Sequence, residues 1–438
     1  MSLFKLPKSS EGSTATSQPD LILALDIGSS FVKSAFGRIS LKRSHKSDST
    51  KSLQLLGFSK VAQRPGNISG GLIADIPGTI ASCEDAVSAL ESSTGEKANS
   101  CIVGISGELV KSRISTIRYR RDNPNRPLSG AELSELLSKI ESRSKAKIRE
   151  EVSLETNNPD VELTLVNSAV VSISIDGYHI NNPVGFKGSE IVIEYYTAFA
   201  PTVSVSAVEK ICVELNLSLI AVVAEPFAVC RACLGDDVDA DFSAILVDVG
   251  GGTTDVAVVD CGEICGTKTF NIGGLHFTRQ ISEALRIKPA LAEKYKLNLE
   301  DESLLTDNII NSVTGALSRS LPVWLSGLSI ALEEFNNLDV LPNDIFLCGG
   351  SASLLPLEEL LATSDWYQSL AFSKRPTIHI LDPLSLPDFV FPESSEDPSA
   401  LDASCVSTLG LLRVGVDTIL TSPEKESLKE KISHLLSH

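Results

Sequence analysis

The sequence predicts an α/β protein built from two related lobes, and three stretches carry that prediction. "LILALDIGSSFVKSAFGRI" at 21–39 and "AILVDVGGGTTDVAVVD" at 244–260 are each an apolar run that ends near an aspartate, breaks at small residues and resumes as a second strand-like run. They align without a gap, Leu25-Asp26-Ile27-Gly28-Ser29-Ser30 against Val247-Asp248-Val249-Gly250-Gly251-Gly252. Such internal similarity marks related units that open their sheets with the same turn, although two ordinary hairpins would share Gly and Asp for reasons of turn conformation alone. The third stretch, "DIFLCGGSASLLPLEELL" at 344–361, is a strand, a glycine turn and a helix.

Composition narrows the class. The chain has 438 residues, 42% apolar and 21% charged, enough for roughly two to four globular domains. A net charge of −18 argues against a nucleic-acid surface and against broad adhesion to anionic lipid. Nine cysteines, odd in number, scattered and without a secretory signal before them, predict free thiols in a reducing cytoplasm. Cys230-Arg231-Ala232-Cys233 has redox or metal spacing but lacks a second CxxC or CxxH, so these read as structural thiols. The most apolar stretch, 217–233, carries Glu225 and Pro226 and is not a membrane span.

The elements follow in order. Residues 1–20 are polar and Ser/Thr-rich and read as a disordered leader. Helical spacing of Leu133, Leu136, Leu137 and Ile140 predicts a helix over 130–147, and alternation at Val161, Leu163 and Leu165, then Val171, Ile173 and Ile175, predicts strands over 161–195 around the loop "NNPVGFKG" at 181–188. Residues 105–193 therefore read as an inserted α+β unit. A helix over 204–214, a strand at 218–223 and a short helix from Pro226 to Gly235 come next. Residues 275–338 are mainly helical, with Pro322 expected to divide them, and the proline-rich, acidic 382–403 reads as a surface loop. The basic stretch 111–126 reads as a solvated strand and turn.

A strand that ends in Asp and gives way to small residues leaves successive backbone N–H groups open to an anion such as phosphate. The neighbouring carboxylate, Asp26 or Asp248, would repel phosphate directly but can hold a hydrated Mg²⁺ that the phosphates share. Two such turns facing one another would enclose a nucleotide tail. The third turn, Gly349-Gly350-Ser351, lets backbone approach a ligand closely. Neither a Walker A loop nor a dinucleotide-binding fingerprint occurs.

With these motifs in this order the chain resembles the actin/sugar-kinase/heat-shock-chaperone ATPase superfamily. Asp26–Lys33 resembles its first phosphate motif, Asp248–Asp255 the second and Leu347–Ser353 the adenosine motif, with "AEPFAVC" (224–230) and "STLGLLRVG" (407–415) as connecting helices. Within it the resemblance is to the FtsA family of bacterial cell-division proteins, on "CIVGISGELVKS" (101–112), "NNPVGFKG", "NIGGLHFTRQISEAL" (271–285), "ALAEKYKL" (290–297) and an insertion placed before "AEPFAVC".

The resemblance implies an actin-like ATPase fold, two lobes each with a mixed sheet flanked by helices, plus an inserted α+β subdomain. Subdomain 1A would comprise 21–104, 194–238 and 404–421, the insertion 1C 105–193, subdomain 2A 239–276 and 341–403, and the helical subdomain 2B 277–340. It implies ATP and Mg²⁺ as cofactors. Asp26 and Asp248 would hold Mg²⁺ through water, while Gly28, Ser29, Ser30, Gly250, Gly251, Gly252 and Thr253 line the phosphates. Lys33 would reach a phosphate or stand as an exposed strand lysine. Glu225, and with it Asp248, would serve catalysis, Glu225 by orienting a water or else acting only as a helix N-terminal acid. Gly273, Gly274, Glu293 and Lys294, with Gly349, Gly350 and Ser351, would surround the sugar and base.

The implied function is an ATP-binding filament protein, at most a slow ATPase used as a switch, that links the tubulin-like division-ring protein FtsZ to the cytoplasmic membrane. Residues 277–340 would dock that partner, and the chain would self-associate. The tail 422–438 places Leu428, Ile432, Leu435 and Leu436 on one helical face beside lysines, and reads either as a membrane-surface helix or as a helix packed on a neighbouring domain. The implied location is cytoplasmic, on the inner face of the membrane if the tail binds it. A pilus-assembly ATP-binding scaffold and a small-molecule kinase of the sugar-kinase type are the alternatives, the second disfavoured by the insertion and by the lack of a substrate motif.

Overall fold

A computed structural model describes residues 21–43, 49–235, 242–299, 305–335, 338–391 and 401–420. The leader 1–20, the tail 422–438 and residues 392–400 of the proline-rich loop lie outside the described residues.

The first lobe is a six-stranded mixed sheet. Its strands run Ser218–Ala224, Ser100–Ile105, Leu21–Ile27, Phe31–Arg43, Ser49–Ala62 and Phe389–Val390 from edge to edge. The hairpin strands are antiparallel, while Leu21–Ile27, Ser100–Ile105 and Ser218–Ala224 run parallel. Ser100–Ile105 is buried throughout, as a parallel strand covered on both faces must be. Alternate residues of Leu21–Ile27 serve opposite faces. Leu23 and Leu25 pack under Leu90 of the helix Ile76–Thr94 and Val208 of Thr202–Glu214. Ile22 and Ala24 pack toward the helices Glu225–Leu234 and Val406–Leu420.

The second lobe repeats the plan. Five strands run in the order Glu263–Phe270, Thr254–Asp260, Ala244–Val249, Asp344–Cys348 and Thr377–Ile380. Asp248 sits beside Cys348 of a parallel strand as Asp26 sits beside Gly104. The duplication read from the two hairpins thus extends to the third strand of each sheet. The helix Asp307–Glu333 buries Leu317, Leu321, Trp324 and Leu328, and the Trp324 indole N–H donates to Thr254 Oγ1 at 2.9 Å, fixing the helix against the second hairpin.

Between the lobes' segments lies a four-stranded sheet, Lys111–Arg120, Glu190–Pro201, Leu163–Ile175 and Tyr178–His179, covered by the helix Gly130–Thr156. Ser129 caps that helix by accepting from the Glu132 N–H at 3.2 Å, and Glu132 in turn pairs with the buried Arg121 at 2.8 Å.

Four expectations change. Pro322 does not divide its helix, because it is exposed and sits between buried Leu321 and Trp324; the Ser318 carbonyl that loses its donor belongs to an exposed residue that water can reach. The strand Glu190–Pro201 carries the inserted sheet past residue 193, since both of its neighbours pair with it as far as Phe199. Phe389–Val390, expected in the second lobe, pairs with Leu53 and Gln54 of the first. The basic stretch is not simply solvated: Lys111, Arg113 and Arg121 pair with Glu155, Glu151 and Glu132 of the helix beside it.

Candidate functional site

The two glycine turns share one backbone geometry. Gly28 N–H donates to Phe31 O at 3.0 Å, and Gly250 N–H donates to Thr253 O at 3.0 Å. They also touch. A Cβ added to Gly251 would lie 2.2 Å from Ser30 Oγ, and one on Gly252 would lie 2.7 Å from Ser29 Oγ. Glycine is required here by close approach rather than by an unusual φ. Gly273 and Gly274 stand behind the second turn: a Cβ on Gly273 would meet Gly250 O at 2.6 Å, and the N–H groups of Gly274 and Leu275 donate to the carbonyls of Gly250 and Gly251 at 2.9 and 2.8 Å. These N–H groups support the turn.

Four buried carboxylates collect beneath the turns: Asp26, Glu225, Asp248 and Asp255. Lys33 lies among them, its Nζ 2.8 Å from Asp26 Oδ2 and its side chain only 13% exposed, so the reading of an exposed strand lysine falls. Burial alone would depress the Lys33 pKa, but the negative charges of Asp26, Asp248 and Glu225, with the Asp26 hydrogen bond, drive it above the usual lysine range. Burial lifts Asp248 to about 6, opposed by Lys33 and reinforced by Asp26. Burial, with Asp26 and Asp255 nearby, holds Glu225 well above the usual carboxylate range.

Asp255 was not singled out in the sequence, yet it is the register equivalent of Lys33: each sits opposite the strand-ending aspartate of its own hairpin. That alignment is the signal that could have found it. Asp255 accepts from Ser106 Oγ at 2.7 Å and from the Thr269 hydroxyl, while burial and then Asp248 push it up to about 7.

The folded protein holds the Asp255 proton up to about pH 7 and the unfolded chain releases it near its ordinary value of 3.8, so the stabilisation present at low pH is lost as pH rises between them. Asp255→Asn should therefore raise stability by up to about 4 kcal/mol near pH 8, at about 1.4 kcal/mol for each unit between 3.8 and about 7, and by less near pH 5. Chemical denaturation at the two pH values checks this; an equal gain at both would exclude the carboxyl as its source.

The third turn joins the same region. Gly349 has φ +89°, and a Cβ on it would lie 2.2 Å from Asp248 Oδ1. Ser351 lies against Gly274, whose added Cβ would be 2.4 Å from Ser351 Oγ and 3.2 Å from Lys296 Nζ. Gly350, Ser351 and Lys296 line a pocket of about 490 Å³ with Leu297, Asn298, Leu299 and Leu355. The sequence reading chose Lys294, which is exposed; helical phase turns Lys296 inward with Ala292. Lys296 Nζ donates to Gly274 O at 3.0 Å and Thr278 Oγ1 at 2.9 Å and pairs with Glu293 at 2.9 Å, so Glu293 reaches the region through this lysine. Burial lowers the Lys296 pKa against the pull of Glu293.

These residues suit a polyphosphate with a hydrated cation. Side chains on Gly251 or Gly252 would fill the narrow cradle where the turns meet, and the carboxylates outnumber the ammonium that Lys33 supplies. Among the described residues no three Asp, Glu, His or Cys side chains converge to ligate an ion directly.

The family model for cell division protein FtsA matches residues 245–387, and that for MreB/Mbl protein matches 179–300. The cell division protein FtsA of Agrobacterium fabrum is 25% identical over 299 residues, covering 67% of this chain and 62% of that protein. The Bacillus subtilis protein of that name is 23% identical over 354 residues, covering 76% and 74%. This chain is related to FtsA. Against the Agrobacterium protein the FtsA-related chain spans 62% of the relative's length. A solved PilM-PilN type IV pilus biogenesis complex superposes with a TM-score of 0.62 at 16% identity, covering 90% of this chain and 98% of that one, which shows a shared fold. That fold is the actin-like ATPase fold, with mixed sheets flanked by helices in both lobes.

Proposed function

We propose that the chain is an ATP-binding, actin-like cell-division protein that polymerises and links a tubulin-like division ring to the cytoplasmic membrane. The observation that supports nucleotide binding is the contact between two matched glycine turns above Asp26 and Asp248. With the N–H groups of Gly28 and Gly250 closing the two turns, the backbone N–H groups of Ser29 and Ser30 on one side, and of Gly251, Gly252 and Thr253 on the other, would hold the phosphates, with the pocket beside Gly350, Ser351 and Lys296 taking the nucleoside. Asp26 and Asp248 would hold Mg²⁺ through water, and Glu225, at the first position of its helix, would orient a water toward the terminal phosphate. When bound, ATP would supply the phosphoanhydride and Mg²⁺ the positive charge that offsets the carboxylates. Because such chemistry rests on positioning, slow turnover suits a switch.

The division-ring partner, the filament and the membrane contact follow from the relation to FtsA, with 277–340 as the partner-docking region and 422–438 as the membrane contact. No helix among the described residues is long and apolar enough to cross a membrane. Calorimetric titration of the full chain with Mg·ATP tests the site, and sedimentation with and without ATP, anionic vesicles and a tubulin-like division-ring protein tests the assembly. Saturable binding near one nucleotide per chain and ATP-dependent pelleting with the ring protein are expected. Absence of nucleotide binding would remove the site; binding without co-pelleting would favour the scaffold reading.

A further inference from the structure

We infer that Ser407, on the first turn of the helix Val406–Leu420, is a positioning residue that aims Asp26 at the cation; this rests on the nucleotide reading above. The Ser407 hydroxyl donates to Asp26 Oδ2 at 2.7 Å, Lys33 Nζ donates to the same oxygen at 2.8 Å, and the Thr408 hydroxyl lies 3.3 Å from it. Lys33 Nζ also lies 3.4 Å from Ser407 Oγ, so Asp26, Lys33 and Ser407 close a three-membered ring of hydrogen bonds. A carboxylate oxygen has two lone-pair directions, and these donors fill those of Oδ2. The other oxygen, Oδ1, lies on the side of the phosphate turn, 3.6 Å from where a Cβ on Gly28 would stand.

The consequence is an orientation. With Oδ2 tied to the protein, the Asp26 carboxylate cannot turn about its last torsion without breaking charge-assisted hydrogen bonds, and Oδ1 is presented toward the turn. Ser407 and Thr408 are fully buried, and their helix is clamped by a glycine contact at Gly410 to the helix that begins at Glu225. The donor is therefore rigid. Without the Ser407 hydroxyl, Asp26 Oδ2 keeps only the Lys33 ammonium and the longer Thr408 contact, and the hold on the direction of its carboxylate loosens.

The test titrates Mg²⁺ against a fixed concentration of a fluorescent ATP analogue bound to the full chain, for wild type, Ser407→Ala and Ser407→Thr, with melting curves for each. Ser407→Ala should raise the Mg²⁺ concentration for half-maximal binding about 5-fold and leave the affinity in EDTA unchanged, while Ser407→Thr, which keeps the hydroxyl, restores the wild-type Mg²⁺ dependence. A merely structural role would weaken binding equally with and without Mg²⁺. An unshifted Mg²⁺ midpoint in Ser407→Ala, or an equal loss in EDTA, overturns the inference alone. Failure of the wild type to bind the analogue at any Mg²⁺ concentration removes the nucleotide reading and this inference with it.

Discussion

Asp248→Asn is expected to weaken Mg·ATP binding at least about 100-fold, close to 2.7 kcal/mol, while the affinity for metal-free ATP stays the same or improves. The substitution preserves shape and burial, so the loss isolates charge. Asp248 is 7% exposed, held between the parallel partner Cys348 and the antiparallel partner Asp255, with Gly349 packed against its Oδ1. Burial lifts its pKa to about 6, with Lys33 opposing the rise and Asp26 adding to it, so the carboxylate is costly to ionise in its buried position. The cation that satisfies the pair reverses that balance. Isothermal calorimetry with Mg²⁺ and with EDTA separates the two affinities. Equal weakening in both would make Asp248 a structural support for the turn, and unchanged affinity in both would place the cation elsewhere.

Much of the fold was legible because the decisive turns are local in sequence. A hairpin whose strand ends in Asp and turns on consecutive small residues declares itself at positions 26–30 and 248–252, and the third turn does so at 349–351. What a linear reading could not weigh was burial. Pro322 looked like a breaker because its covalent effect is local, while the apolar face that keeps the helix whole is supplied by residues from Val313 to Leu332. Lys294 and Lys296 both follow Glu293, and only the helix's orientation against Gly274 and Thr278 decides which enters the site. Ser106, just past the strand Ser100–Ile105, and Ser407, on a helix, reach the carboxylates from far along the chain. No short motif encodes such contacts.

Gly410→Ala should destabilise the protein by about 3 kcal/mol, near the upper end for overpacking, and weaken nucleotide binding as well. Gly410 lies where the helix Val406–Leu420 crosses Glu225–Leu234, and a Cβ there would stand 2.1 Å from Ala228 O, 2.5 Å from its carbonyl carbon and 3.1 Å from Val229 N. These are backbone atoms of a packed helix, so no side chain can swing away and the helices must separate. The two helices begin at Glu225 and beside Ser407, so a wedge between them displaces both groups from Asp26 and Lys33. Gly415→Ala on the same helix is the internal comparison. Its Cβ would meet Ile22 and Ile102 side-chain carbons at 3.3 and 3.4 Å, tight but yielding, against a gain of about 1 kcal/mol in helix propensity. Thermal or denaturant unfolding of the two variants should therefore part them widely, Gly415→Ala remaining near wild type. Equal stability of Gly410→Ala and wild type would show that the two helices tolerate separation, and that the rigidity attributed to Ser407 has another source.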